Sequence, residues 1–172
     1  SLANVKHAVA GTHQEFGGRA SVSADFIGDG QNGNDCFGHG THVAGTVGSA
    51  TYGVAKGVYL HAVRVLDCNG SGTVSNLLAG VNWVTSNHAS PAVANISIGL
   101  SGISPALDSG ITSSIASGVT YAIAAGNGGN DACNYTPSRI PNAITVGAVD
   151  STDLRPSYSN QGPCVDVFAP GS

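Results

Sequence analysis

An α/β protein with a mostly parallel sheet and helices on both faces is what this sequence predicts, on three observations. Short apolar runs alternate with segments of helical periodicity about 10–15 residues long, the order that builds parallel sheets through helical crossovers. Several of the runs, Val119–Ala124 above all, are apolar almost throughout rather than at alternate positions, as befits strands covered on both sides. Finally, 172 residues that are 41% hydrophobic and only 9% charged can form a single domain with its own core. No internal repeat, linker or low-complexity tract divides residues 1–172.

In chain order, Val22–Ile27 reads as a strand, followed by a Gly/Asn/Asp loop over Gly28–Asp35. His39–Ser49 is expected to be helical in spite of its glycines and threonines, because small residues let a helix pack tightly inside a core. Leu60–Leu66 is a strand, stopped by Asp67-Cys68-Asn69-Gly70. Thr73 stands where it can cap a helix reaching Asn87, with Leu77, Leu78, Val81 and Val84 at helical spacing. Val93–Ile98 is a strand. Pro105–Ser117 is a helix that carries Leu107, Ile111 and Ile115 at four-residue steps, with proline at its start and Gly118 at its end. The apolar runs Val119–Ala124, Ala143–Val149 and Val165–Phe168 complete the strands.

Composition narrows the function. Six Lys and Arg residues, scattered singly in a chain of net charge -4, argue against nucleic acid or an anionic membrane as partner. No apolar run approaches the roughly 18 residues needed to span a bilayer. Nothing at Ser1–Lys6 has the charge and apolar stretch of a signal peptide, and a chain without any methionine is read as one processed, trimmed or incompletely determined. Cys36, Cys68, Cys133 and Cys164 form no Cys-x-x-Cys pair, which speaks against a zinc knuckle. Of the three possible pairings, Cys36–Cys68 and Cys133–Cys164 are favoured, each closing a loop of about 30 residues for roughly 3–4 kcal/mol on the chain-entropy view. Such bridges imply an oxidising compartment; four buried free thiols are the other reading.

Three segments bear chemistry. Gly38-His39-Gly40 sets a titratable ring between two glycines, where another chain can lie close to the imidazole. Asn95-Ile96-Ser97-Ile98-Gly99-Leu100 and Ala124-Ala125-Gly126-Asn127 lie at the carboxyl ends of strands, where parallel sheets place their sites. The Asn127 amide can donate to an oxyanion there; its plainer reading is a turn residue. Cys36, His39 and His42 could suggest a metal, but lack the i, i+4 histidine pair of zinc proteases, so His42 is expected to pack as a polar core residue. Asp25, Asp29 and Asp35 flank the glycine-rich loop and read as a solvated acidic face, with a second ion site as the alternative. His7, His13, His61 and His88 carry no functional signal.

From about Gly11 to Ser172 the sequence resembles the proteinase K and aqualysin branch of the subtilisin-like serine proteases. The run Gly38–Thr46 carries the likeness, with Gln14–Ala20 before it and Tyr52–Lys56, Val63–Gly72 and Ser157–Gly162 after it in order. The resemblance implies a subtilisin-like three-layer α/β/α fold and a secreted endopeptidase that acts on extended peptide or protein. It makes His39 the general base and Asn127 the oxyanion-hole amide. It makes Ser97, Ile98 and Gly99 an edge that pairs with substrate, with Gly70, Ser71 and Gly72 pairing with its other side. Ala125 and Gly126 would line a small-walled pocket for an apolar or aromatic side chain before the cut. No cofactor is implied for catalysis. A structural calcium ion is, held by Asp166 and the carbonyls of Pro141 and Ala143.

The sequence departs from this pattern in four places. The family's Gly-Thr-Ser-Met-Ala run, which holds the nucleophile, does not occur in residues 1–172. The Asp-Thr-Gly expected seven residues before the position of His13 falls on Lys6-His7-Ala8, and residues 1–10 do not match the family. Phe37 replaces a small polar residue, and Leu100 replaces a glycine where it could hinder a peptide. This chain alone is therefore expected to be inactive, with the remaining parts of the same protease as possible partner segments, and with a non-catalytic module that binds extended peptide as the alternative. Without a central strand and the serine-bearing helix, apolar sheet surface would face water at about 25 cal/mol per Å², and the isolated chain would tend to aggregate.

Overall fold

A computed structural model describes residues 2–5 and 9–172, with side chains from residue 9 onward. The strands are Leu2–Val5 (β1), Ala20–Asp25 (β2), Tyr59–Arg64 (β3), Ala92–Ile96 (β4), Val119–Ala124 (β5), Ile144–Val149 (β6) and Val167–Pro170 (β7). They form one sheet in the order β2-β3-β1-β4-β5-β6-β7, with every neighbouring pair parallel. The α-helices are His39–Gly48 (α1), Val74–Asn87 (α2) and Pro105–Ala116 (α3).

Helices lie on both faces, α2 and α3 on one and α1 on the other, where α1 packs at β1 and β3 and the sheet stays open over Ala122, Ala124 and Ala148 of β5 and β6. Strand alternation sends Leu60 and Ala62 to one face and Val63 and Val65 to the other. The first pair packs with Val9, Phe16 and Ala44 of α1. The second joins the larger core with Leu77, Val81 and Val84 of α2 and Leu107 and Ile111 of α3. Thr73 caps α2 reciprocally: its hydroxyl accepts from the Asn76 N–H, and the Asn76 side chain accepts from the Thr73 N–H. Ser104 caps α3, with Pro105 at the first helical position.

The strand that the sequence does not announce is β1. A missing central strand is the expectation, yet Leu2–Val5 occupies that place, pairing with Tyr59–Ala62 on one side and Ala92–Asn95 on the other. A sheet ladder is made of main-chain N–H and C=O groups, so a segment without the family's residues can fill the slot. The Lys6-His7-Ala8 segment, where the family's acid is expected, lies outside the described residues. Smaller shifts are physical too. β2 begins at Ala20, with an irregularity between Val22 and Ala24, and β4 stops at Ile96, leaving Ser97 off the ladder.

Both favoured disulfides are present, Cys36–Cys68 and Cys133–Cys164, and no cysteine is free. The first joins the loop before α1 to the loop after β3. The second joins the loop after β5 to the segment before β7.

Candidate active site

His39 is the first residue of α1, half-buried, behind a left-handed Gly38 (φ 93°) that supplies no side-chain cap. The capping group comes from Asp35. Its Oδ1 accepts the Gly38 and Phe37 N–H groups (2.7 and 3.2 Å), and its Oδ2 accepts the Thr41 N–H and hydroxyl (2.8 and 2.6 Å). Partial burial works to raise the Asp35 pKa, but the bonds from Thr41, Gly38 and Phe37 outweigh it and hold the carboxyl below its ordinary value. Thr41 Oγ1 in turn accepts the Ala10 N–H (2.9 Å), tying the turn to the segment after β1. Asp35 is thus a capping residue that the loop composition disguised as a solvated acid.

Asn127 follows β5 on a turn built by Asn160. The Asn160 side chain, 3% exposed, donates to the Ala125 carbonyl (2.8 Å) and accepts from the Gly128 and Asn130 N–H groups (3.1 and 2.9 Å). Its backbone N–H donates to the Gly126 carbonyl (2.9 Å). Gly126 has to be glycine: φ is 103°, and an added Cβ would lie 2.5 Å from Asn160 Nδ2. Asn160 lies within the Ser157–Gly162 run, but the sequence gives it no role, because its partners are backbone groups 30 to 35 residues away.

His39 and Asn127, distant in sequence, line one cleft of about 780 Å³ together with Asn95, Ser97, Ala125 and Gly126. Beyond Asn127 a second hollow of about 390 Å³ is walled by Ser97, Ile98, Gly99, Leu100, Ala125 and Gly126, with Tyr135 and Asn160. Leu100 is half-buried, packs against the larger core and donates its N–H to the Thr136 carbonyl (3.0 Å). Gly70, Ser71 and Gly72 are not among the residues lining either hollow. They sit in a turn in which Asp67 Oδ1 accepts the Asn69 and Ser71 N–H groups (both 2.9 Å), with the Phe37 ring against Gly70. Phe37 and Asp67 line a small depression together with His39, so this turn borders the larger cleft without walling it.

The reading of His42 changes, and so does that of Asp25 and Asp29. His42 is exposed and lines the cleft instead of packing in the core, because three residues after His39 falls on the solvent side of α1. Cys36 is consumed by its disulfide, and among the described residues no group of three or more His, Cys, Asp or Glu is placed to hold a metal. Asp25 and Asp29 do not form a free acidic loop either. They clamp the fully buried Arg64, with Arg64 Nη1 3.1 Å from Asp25 Oδ2 and 2.6 Å from Asp29 Oδ1, and Nη2 2.7 Å from Asp29 Oδ2. Arg64 Nη2 also lies 3.5 Å from Cys36 Sγ, against the disulfide. Hydrogen bonding to Arg64 lowers Asp29 to about 2.

Asp166 is exposed beside β6: its Oδ2 accepts the Thr145 N–H (2.8 Å) and its own N–H donates to the Thr145 carbonyl (2.9 Å). That bond holds its carboxylate at Thr145, two residues past Ala143 and four past Pro141, and a carboxylate with backbone carbonyls is the kind of hard-oxygen donor set that calcium takes.

A cleft at the carboxyl ends of a two-sided parallel sheet, with a helix-borne histidine and a strand-end amide on its walls, places the molecule among α/β proteins with a site at the strand ends. More particularly, the chain belongs to the subtilase family, whose description matches residues 8–172. It is 59% identical over 160 residues to the extracellular serine proteinase of Thermus sp. (strain Rt41A), an alignment covering 93% of this chain and 39% of that protein. It is 55% identical over 164 residues to alkaline serine exoprotease A of Vibrio alginolyticus, covering 95% and 30%. A crystal structure of a cold adapted subtilisin-like serine proteinase superposes with a TM-score of 0.95 at 51% identity, covering 99% of this chain and 62% of that one. The chain therefore spans well under half the length of these curated relatives.

Proposed function

We propose that this chain is a section of the catalytic domain of a secreted serine endopeptidase. The observation that carries the reading is the meeting of His39 and Asn127 on one cleft. His39 takes the proton from an attacking serine hydroxyl and returns it to the leaving amine. The Asn127 amide donates to the oxyanion of the tetrahedral intermediate. Ser97, Ile98, Gly99 and Leu100 form the edge along which an extended peptide lies. Ala125 and Gly126 open onto the smaller hollow, which takes an apolar or aromatic side chain. Gly70, Ser71 and Gly72 meet the peptide only at its outer margin. The serine belongs to the Gly-Thr-Ser-Met-Ala run of the family, which residues 1–172 do not contain, so these residues alone do not hydrolyse peptides. Secretion is supported by two disulfides, which persist in oxidising compartments, and by a Thermus relative named as extracellular. Asp166 with the Pro141 and Ala143 carbonyls would hold a calcium ion that stiffens the start of β6. The partner is a protein substrate.

The test is made on the protein that carries this segment together with the family serine. Asn127→Ala is expected to lower kcat about 100- to 1000-fold with KM little changed, as removal of one oxyanion donor does. His39→Ala should abolish stoichiometric labelling by a fluorophosphonate. A parent protein that folds yet takes no label would overturn the reading in favour of a module that binds peptide without cutting it.

A further inference from the structure

Three Asn-Gly pairs occur in the chain, at Asn32-Gly33, Asn69-Gly70 and Asn127-Gly128. An asparagine followed by glycine is open to attack on its side-chain carbonyl by the next backbone nitrogen, since no Cβ obstructs the approach. In each pair the attacking nitrogen is engaged as a donor. Gly33 N–H bonds Asp25 Oδ2 (2.6 Å), Gly70 N–H the Asp67 carbonyl (3.1 Å), and Gly128 N–H Asn160 Oδ1 (3.1 Å). The three differ in how firmly they are held. Gly33 is buried and donates to a carboxylate, the stronger kind of bond. Asn69-Gly70 sits in a turn whose Asp67 carboxylate also takes the Asn69 and Ser71 N–H groups. At Asn127-Gly128 both residues are exposed, and the Gly128 nitrogen is held by one neutral amide.

We propose that Asn127-Gly128 is a self-modification site, at which the Asn127 amide is hydrolysed through a cyclic imide, with Asn160 as its guard. When the Gly128 N–H leaves Asn160 Oδ1 and gives its proton to hydroxide, the nitrogen attacks Asn127 Cγ. A C–N bond forms, and the side-chain nitrogen departs as ammonia, taking its proton from water. Water then opens the imide at either carbonyl, giving aspartate or isoaspartate at position 127. The sum is one water consumed and one ammonia released, with no oxidant or reductant. The consequence for activity rests on the role of Asn127 proposed above: a donor of two N–H groups becomes an anionic acceptor where negative charge develops, so each converted molecule loses its oxyanion donor.

The experiment incubates the protein in 18O-labelled water at mildly alkaline pH, then maps its peptides by mass spectrometry. Label is expected at 127 ahead of 32 and 69. Asn160→Ala should speed conversion at 127 roughly 3- to 10-fold, the factor by which losing one ordinary hydrogen bond raises the open population, and leave 32 and 69 unchanged. Gly128→Ala should suppress it; the tight contact of its new Cβ would be the flexible Asn130 side-chain nitrogen at 2.8 Å, with Asn160 Oδ1 at an ordinary 3.6 Å. Hydrogen exchange of the Gly128 amide in the unaltered protein, faster than at Gly33, reports the same opening without any variant. Label at 32 or 69 before 127, or none at 127, would sink the proposal. Conversion at 127 with activity retained would support the modification site and remove Asn127 from the mechanism.

Discussion

The Asp35 carboxylate is committed entirely to the turn that presents His39, accepting four hydrogen bonds from three residues. Asp35→Ala is expected to cost about 1–2 kcal/mol, at the upper end for a lost N-cap. The melting temperature should fall, and kcat in the serine-bearing protein should fall with it, because the imidazole is no longer fixed. Asp29 gives a pH prediction with a definite sign. Its folded pKa, near 2, lies below the ordinary 3.8, so its pairing with Arg64 stabilises the fold fully above 3.8 and is lost as pH falls through 2. Acid titration of the melting temperature should show a step in that window, and Asp29→Asn should flatten it. None of these pairings was legible in the sequence. Asp25 ends β2 while Asp29 and Asp35 lie in the polar loop after it, and only the closing of β3 against them shows which carboxylates meet Arg64 and which meets a helix.

At the scale of elements, local chemistry made the helices readable. Thr73, Ser104 and Pro105 act through bonds within four residues, so their signals survive without tertiary context. β1 shows the opposite. It lies between β3 and β4 through main-chain pairing, and four residues with neither turn signals nor clear alternation announce nothing. Ala3→Pro, which removes an amide donor from a central strand, is expected to lower the unfolding midpoint sharply and to raise dye binding by exposed apolar sheet. Retention of the midpoint would mean that β1 does not hold the sheet. On the other face, the buried Tyr121 hydroxyl donates to Ser114 Oγ (2.9 Å), joining β5 to α3, and burial pushes its pKa up to about 12. Tyr121→Phe should cost about 1 kcal/mol by leaving the Ser114 hydroxyl without that partner, as read by denaturant unfolding.

For the molecule as a whole, the two disulfides fasten the loops on which the cleft depends. Cys133–Cys164 closes a separation of 31 residues, and its replacement by serines is expected to cost roughly 3–4 kcal/mol by the chain-entropy account. Denaturant unfolding of Cys133→Ser/Cys164→Ser against the parent measures it, and a loss under 1 kcal/mol would show that native strain offsets the constraint. The sequence by itself determined the layered α/β plan, the helices with their caps and the identity of His39 and Asn127 as candidates. The plan, the caps and the two candidates follow from periodicity, short-range bonding or family motif; the disulfide pairing is favoured on loop length alone, against four free thiols, and the structure shows it. Only the tertiary structure decided that β1 fills the sheet centre, that Asp35 and Asn160 build the two turns behind the site, that His42 faces solvent and that Gly70–Gly72 stand off the cleft walls. β1 and Asn160 depend on backbone groups far apart in the chain being brought within hydrogen-bond reach, whereas Asp35 and His42 depend on how the chain turns into α1, and residue identity encodes neither.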